Sequence, residues 1–139
     1  MDWITEVVAI GNYLEAQDPA LLRKFGVRSV LSLDGSLKHE QAAELGLAAI
    51  GDVKLIDGHG NDPRVFRSAI DSLVYLVGKH PPVLVQCHAG RSRSVAVVAG
   101  YLVTTLPTDP ETAIKLVTSK REVNMAAALE TLLYDLGDR

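Results

Sequence analysis

One strand–loop–helix segment constrains the fold of this chain more than any other stretch. Val83-Leu84-Val85 follows two prolines, and a short β-branched apolar run bounded by turn residues favours a buried strand. From Ser92 onward the sequence is apolar on nearly every side, which predicts a buried helix. A tight polar loop must therefore join two buried elements.

The loop that begins at Cys87 has the composition of an anion-binding site. The first turn of the helix leaves backbone N–H groups unpaired and carries the positive end of the helix dipole. Ala89 and Gly90 allow the backbone to approach a ligand closely. Arg93 can donate to two oxygens of a tetrahedral oxyanion, and the same positive field favours the nucleophilic thiolate of Cys87. The segment therefore indicates covalent phosphoryl transfer.

The run Cys87-His88-Ala89-Gly90-Arg91-Ser92-Arg93-Ser94 resembles the Cys-x5-Arg-Ser/Thr signature of the protein tyrosine phosphatase superfamily, in the form of its dual-specificity branch. The resemblance implies that Cys87 is the nucleophile, that Arg93 binds phosphate and that the Ser94 hydroxyl helps the sulfur to leave as a thiolate. It also implies a phosphate cradle built from the backbone amides of His88, Ala89, Gly90, Arg91, Ser92 and Arg93. One position departs from the family pattern, because Gln86 stands where the family usually has histidine.

A second polar loop supplies a candidate general acid. Breaking a phosphomonoester requires a proton for the leaving oxygen, delivered from the side opposite the thiolate. Asp57 lies in a loop with two glycines, 30 residues before Cys87, and resembles the general acid of the family. The plain structural alternative is that Asp57 only ends a strand. Asp62, followed by Pro63, is better explained as the N-cap of the next helix.

The remaining sequence alternates strand and helix patterns. This alternation predicts an α/β fold with a largely parallel sheet. We expect a three-layer domain with four to five central strands flanked by helices, and the resemblance implies one cysteine phosphatase domain over residues 1–139. The expected strands lie within 3–10, 29–33, 48–56 and 83–85. The expected helices cover residues 19–25, 36–45, 64–78, 92–106, 111–119 and 125–136.

Composition and charge limit the partners and the cellular compartment expected for this protein. A net charge of −3 argues against nucleic acid as the main partner, because binding to nucleic acid needs a basic face. The single cysteine cannot form an internal disulfide, which fits a reducing compartment. The first residues lack a signal-peptide pattern, and the apolar stretch 94–108 is too short to span a membrane. We expect a cytoplasmic monomer without a transmembrane segment.

No metal or cofactor is expected, because four scattered histidines and one cysteine give no zinc-binding spacing. The favoured function is a protein phosphatase that acts on phosphotyrosine and phosphoserine/threonine through a phosphocysteine intermediate. His88 and Arg91 are basic residues facing the rim of the loop, as in some lipid phosphatases of the superfamily, so a phosphatidylglycerophosphate or phosphoinositide substrate is an alternative. A non-catalytic phosphate-binding module is another alternative. Sulfur transfer and arsenate reduction are less well supported, since reduction usually needs a second thiol.

Overall fold

The computed structural model describes residues 1–137 and has an α/β architecture, as predicted. Five strands form one sheet in the order β1-β2-β5-β3-β4. β1 is antiparallel to β2, and the other neighbouring pairs are parallel. The strand bounds are Asp2–Trp3 for β1, Val8–Gly11 for β2, Ser29–Ser32 for β3, Ala49–Asp52 for β4 and Val83–Gln86 for β5.

Five α-helices accompany the sheet in the described part of the chain. They are α1 (Pro19–Lys24), α2 (Pro63–Lys79), α3 (Arg93–Thr105), α4 (Pro110–Lys120) and α5 (Ala127–Gly137). α1, α2 and α4 each begin with proline after an aspartate whose side chain accepts a backbone N–H. This arrangement confirms Asp62 as a helix cap and explains the sharp start of each helix. Within residues 1–137 no helix is long and apolar enough to cross a membrane.

Alternate residues of the strands pack into two apolar clusters, as the two-residue period of a strand requires. Val83 and Val85 of β5 belong to the larger cluster, which includes residues of α2, α3, α4 and α5. Leu84, between them, belongs to a smaller cluster with Leu22 of α1. β5 is thus buried on both faces at the centre of the sheet. The loop that follows it starts from a rigid base.

Two sequence-based boundaries were wrong. Residues 36–45 were expected to form a helix, but only His39–Gln41 form a short 3-10 turn. Between Leu37 and Leu47, both of which enter the smaller cluster, no residue is buried. Ala42 and Leu45 are only partly buried against this cluster, so a helix here would gain little stability from packing.

The strand expected over residues 48–56 is shorter and ends at Asp52. Its neighbour β3 ends at Ser32, which pairs with Asp52, so the following residues lack a regular partner strand. Val53 and Leu55 still donate to the Ser32 and Leu33 carbonyls. The chain then leaves the sheet in an extended form and delivers the next loop beside the end of β5.

Candidate active site

Cys87 follows the last residue of β5 directly, at the carboxyl edge of the sheet where open α/β sheets usually bind ligands. Its side chain is buried, with 2% of the residue exposed. Cys87 Sγ lies 2.8 Å from the hydroxyl oxygen of Ser94, which is fully buried in the first turn of α3. The two side chains that the signature separates by seven positions are therefore in direct contact.

The backbone of the cysteine loop has its carbonyl groups paired and its amide groups free. The carbonyls of residues 88–92 accept hydrogen bonds from partners outside the loop or from the first turn of α3: Tyr13 N–H, the Arg121 guanidinium, Asn124 N–H and Ala96 N–H. None of the N–H groups of residues 88–92 has an acceptor within residues 1–137. Unpaired amides grouped in this way at a helix start form an anion-binding nest.

Gly90 is required for this loop conformation. Its φ is +70°, a left-handed value that is unfavourable for residues with a Cβ. A Cβ at this position would also lie 2.5 Å from the Gly11 carbonyl oxygen and 2.6 Å from Arg121 Nη2. The loop therefore packs against β2 and Arg121 at a distance that only glycine permits.

Arg121 at the end of α4 braces the loop from outside. Its Nε–H donates to the Gly90 carbonyl at 2.6 Å and its Nη2 to the Ala89 carbonyl at 3.2 Å. Its Nη1 donates to Asp2 Oδ2 at 2.8 Å. This residue is not among those predicted from the sequence. No local signal could have revealed it, because it lies 31 positions after Gly90.

Arg93, the first residue of α3, extends towards the chain that leaves β4. Its Nη1 donates to the Leu55 carbonyl at 3.3 Å. Its Nε is buried and has no acceptor within residues 1–137. A buried guanidinium N–H without a partner is costly, and an oxyanion in the cavity would satisfy it.

Asp57 is brought to the same place by the following loop. Its Oδ1 accepts a hydrogen bond from the Ser92 hydroxyl at 2.5 Å. Asn61 closes the loop on itself, because its amide oxygen accepts Ile56 N–H and its amide nitrogen donates to the Ile56 carbonyl, both at 2.8 Å. The carboxylate thus stands beside the cysteine loop rather than merely at the end of a strand.

These side chains line one cavity of about 320 Å³. Its lining contains every predicted site residue except Gly90 and Ser94, together with Asn124: Asp57, Cys87, His88, Ala89, Arg91, Ser92 and Arg93. Gly90 lies on the side of the loop that faces Gly11 and Arg121, and Ser94 contacts the thiol from the first turn of α3. The candidate residues named from the sequence are therefore brought together in one place.

A further carboxylate, that of Asp34, lies near Gln86 and Arg93. The Asp34 carboxylate accepts hydrogen bonds from the Ser36 hydroxyl at 2.6 Å and from Ser36 N–H at 3.0 Å. Burial raises the pKa of the Asp34 carboxyl, but the neighbouring Gln86 amide, Ser36 and the charge of Arg93 together lower it below its ordinary value. Asp34 follows β3, so a polar residue at a strand's carboxyl end was the available signal.

Gln86 itself is fully buried. Its Oε1 accepts a long hydrogen bond of 3.5 Å from the Ser36 hydroxyl. Its Nε2 has no acceptor at hydrogen-bonding geometry within residues 1–137. The residue that replaces the usual histidine thus lies in a small polar cluster with Ser36 and Asp34.

The two basic residues at the rim, His88 and Arg91, both contact other side chains of the protein. The imidazole of His88 stacks on Tyr13 with ring centroids 4.5 Å apart and planes 9° apart. Arg91 pairs with Glu122 at 3.5 Å. Within residues 1–137 no three His, Cys, Asp or Glu side chains are grouped as a metal site would require.

Comparison with known proteins agrees with this geometry. The family model described as dual specificity phosphatase, catalytic domain, matches residues 8–137. The crystal structure of human DUSP28 superposes with a TM-score of 0.86 at 20% identity, covering 99% of this chain and 96% of that one. PTPMT1 in complex with PI(5)P gives 0.77 at 19% identity, covering 97% and 92%. The human tyrosine phosphatase-like serine/threonine/tyrosine-interacting protein gives 0.78 at 22% identity, covering 97% and 93%.

At these identities the structural likenesses establish the fold, whereas the family model covers nearly the whole chain. The chain belongs to the dual specificity phosphatase catalytic domain family of the protein tyrosine phosphatase superfamily.

Proposed function

We propose that this protein hydrolyses phosphotyrosine and phosphoserine/threonine in proteins through a phosphocysteine intermediate. The observation that carries the proposal is the cysteine loop itself. Its N–H groups have no acceptor within residues 1–137, and the thiol that begins the loop contacts Ser94 at 2.8 Å. A dianionic phosphate fits this combination, because the amides and Arg93 can bind its oxygens while the sulfur faces phosphorus.

In the first step the Cys87 thiolate attacks phosphorus and the phosphorus–oxygen bond to the leaving group breaks. Arg93 and the loop amides stabilise the charge on the equatorial oxygens. Asp57 gives its proton to the leaving oxygen, so the product departs as a neutral alcohol or phenol.

In the second step water attacks the phosphocysteine and the sulfur–phosphorus bond breaks. Asp57, now a carboxylate, takes the proton from the attacking water. The Ser94 hydroxyl donates to the departing sulfur and stabilises it as thiolate. The products are inorganic phosphate and the starting enzyme, and no cofactor is needed.

The contacts of the rim residues His88 and Arg91 favour a protein substrate over a lipid headgroup that carries several phosphates. A headgroup with a second phosphate would need free cationic side chains at the edge of the cavity. His88 instead stacks on Tyr13, and Arg91 is paired with Glu122. A cavity of about 320 Å³ has room for a phosphorylated side chain.

A phospholipid substrate is the second candidate, because His88 and Arg91 both line the cavity and Arg91 could exchange Glu122 for a lipid phosphate. The fold is also similar to that of PTPMT1, whose crystal structure is in complex with PI(5)P.

The decisive experiment compares phosphate release from phosphotyrosine peptides, phosphothreonine peptides and vesicles that contain phosphatidylglycerophosphate or a phosphoinositide. It is done with chelator present and with Cys87→Ser as the matched control. We expect chelator-resistant turnover of both peptides, with kcat/KM above that of the lipids, and none in Cys87→Ser. Faster lipid turnover would select the second candidate. Phosphate binding without turnover of any substrate would identify a binding module.

A further inference from the structure

The Ser92 hydroxyl joins the cysteine loop to two other parts of the molecule. It donates to Asp57 Oδ1 at 2.5 Å and accepts Ala126 N–H at 2.9 Å. Ala126 immediately precedes α5, and only 6% of Ser92 is exposed. A single buried hydroxyl therefore links the candidate nucleophile loop, the candidate acid and the start of a helix.

The two hydrogen bonds give the hydroxyl a defined direction. A serine hydroxyl has one proton to donate and two lone pairs that accept. Because Ala126 N–H occupies one lone pair from a fixed backbone position, the hydroxyl proton of Ser92 is directed to Asp57. The Ala126 amide, just before α5, thus fixes the Ser92 hydroxyl, and that hydroxyl in turn fixes the Asp57 carboxylate.

Asp57 has little else to fix it. The residue is exposed and lies between Leu55 and two glycines with positive φ, Gly58 and Gly60. Asn61 closes this loop internally, and Arg93 anchors it at the Leu55 carbonyl, but neither contacts the Asp57 side chain. Within residues 1–137 the Ser92 hydroxyl is the only hydrogen-bond partner of that carboxylate.

We propose that Ser92 is a positioning residue that holds the Asp57 carboxyl over the cysteine loop before substrate binds. It thereby determines how well the enzyme cleaves esters with strongly basic leaving groups. This inference rests on the proposed function, and it assigns Ser92 a side-chain role in addition to any contact that its backbone amide makes with phosphate.

Loss of the Ser92 hydroxyl should slow some substrates much more than others. A weakly basic leaving group such as p-nitrophenolate departs with little help from an acid, whereas the alkoxide of phosphoserine needs its proton during bond breaking. Loss of the Ser92 hydroxyl should therefore affect substrates in order of leaving-group basicity. General damage to the loop would slow all of them alike, because they share the same phosphoryl group.

The test measures kcat/KM of Ser92→Ala on p-nitrophenyl phosphate, on phenyl phosphate and on a phosphoserine peptide. Each variant is first checked for wild-type thermal unfolding. We expect a loss below about threefold for p-nitrophenyl phosphate and of at least roughly tenfold for the peptide, in line with the size of general-acid catalysis. Ser92→Thr, which keeps the hydroxyl, should restore the wild-type ratio. Ser68→Ala, at an exposed serine of α2, is the surface control.

A second comparison uses Asp57→Asn as the background. If Ser92 acts through Asp57, adding Ser92→Ala to Asp57→Asn should not change the substrate ratio further. An equal loss on all three substrates, or an undiminished effect in the Asp57→Asn background, would overturn the inference while leaving the proposed function intact. A wild-type protein that turns over none of the substrates would overturn both.

Discussion

Arg121 Nε donates to the Gly90 carbonyl oxygen at 2.6 Å, so the end of α4 holds the cysteine loop in place from outside. The arginine side chain is 11% exposed and pairs with Asp2 on its other side. Arg121 donates hydrogen bonds to the Ala89 and Gly90 carbonyls on the outer side of the loop. These bonds favour the orientation in which the loop amides face the cavity. Residues remote from the chemistry thus set the geometry of the site.

Arg121→Met should lower both stability and activity. The change removes charge-assisted hydrogen bonds to two carbonyls, each bond to a charged group contributing about 1.5–3 kcal/mol. We expect the free energy of unfolding in urea to fall by about 3 kcal/mol or more and kcat/KM to fall at least roughly tenfold.

Lys115→Met is the matched control, because Lys115 makes an exposed pair with Glu111 at 3.2 Å and no other side-chain pair within residues 1–137. Such surface pairs contribute about 0.5 kcal/mol or less. If the two variants unfolded at the same urea concentration, Arg121 would not brace the loop.

Gly90→Ala should be far more damaging than a substitution at a glycine with the same φ. Gly46 also has a φ of +70°, but a Cβ there meets nothing within 4 Å. Gly46→Ala should therefore show only the left-handed penalty of roughly 1–2 kcal/mol. Gly90→Ala adds a clash with the Gly11 carbonyl, and a displaced catalytic loop should lower kcat/KM by roughly a hundredfold or more.

Urea denaturation and steady-state kinetics of both alanine variants check this expectation. Equal losses of stability, with activity retained in Gly90→Ala, would mean that the loop relaxes around the added methyl group.

The parts of the site that are contiguous in sequence could be predicted without a structure. Cys87, Arg93 and Ser94 lie in one strand–loop–helix unit, and its local pattern sets their relative positions. Asp57 could be named because a chemical requirement and a family resemblance both pointed to its loop.

The supporting contacts could not be predicted, because they depend on how distant elements pack. Arg121 contacts the cysteine loop, and Asp34 lies near Gln86 and Arg93, only because distant elements pack together. A single arginine at a helix end looks like any surface residue. Residues 36–45 contain good helix formers, but Ala42 and Leu45 are only partly buried, and helix propensity alone is weak where packing adds little. The sheet was easier to predict, because β5 is buried on both faces and reads as a continuous apolar run.

Ser94→Ala should slow the second chemical step more than the first. Ser94 Oγ lies 2.8 Å from Cys87 Sγ, so its hydroxyl can stabilise the sulfur as it leaves phosphorus. Losing a hydrogen bond to a charged group should lower kcat roughly tenfold to a hundredfold. In rapid-mixing experiments with p-nitrophenyl phosphate, we expect a burst of p-nitrophenol equal to the enzyme concentration.

Ser94→Thr keeps the hydroxyl at the position where the family signature accepts either residue. It should retain most of the activity and show no larger burst than wild type. An alanine variant with unchanged kcat and no burst would remove Ser94 from the mechanism.

Asp34→Asn should reduce stability at neutral pH and have a smaller effect in acid. The pKa of the folded Asp34 carboxyl lies below its ordinary value of 3.8, although burial opposes the shift, because Gln86, Ser36 and Arg93 favour the charged form. The unfolded state therefore binds the proton first as pH falls. The stabilising contribution is complete above about pH 4 and is lost below it, towards the pKa of the folded protein.

Urea denaturation of wild type and Asp34→Asn between about pH 3 and pH 7 measures this dependence directly. We expect the difference in unfolding free energy to be largest and constant from pH 5 to 7 and to shrink towards pH 3. Asp71→Asn on α2 gives the reference for a carboxylate with no hydrogen bond to a neighbouring side chain within residues 1–137. A difference that grew on acidification would mean that folding favours the protonated Asp34, and the charge of Arg93 would then be balanced by another group.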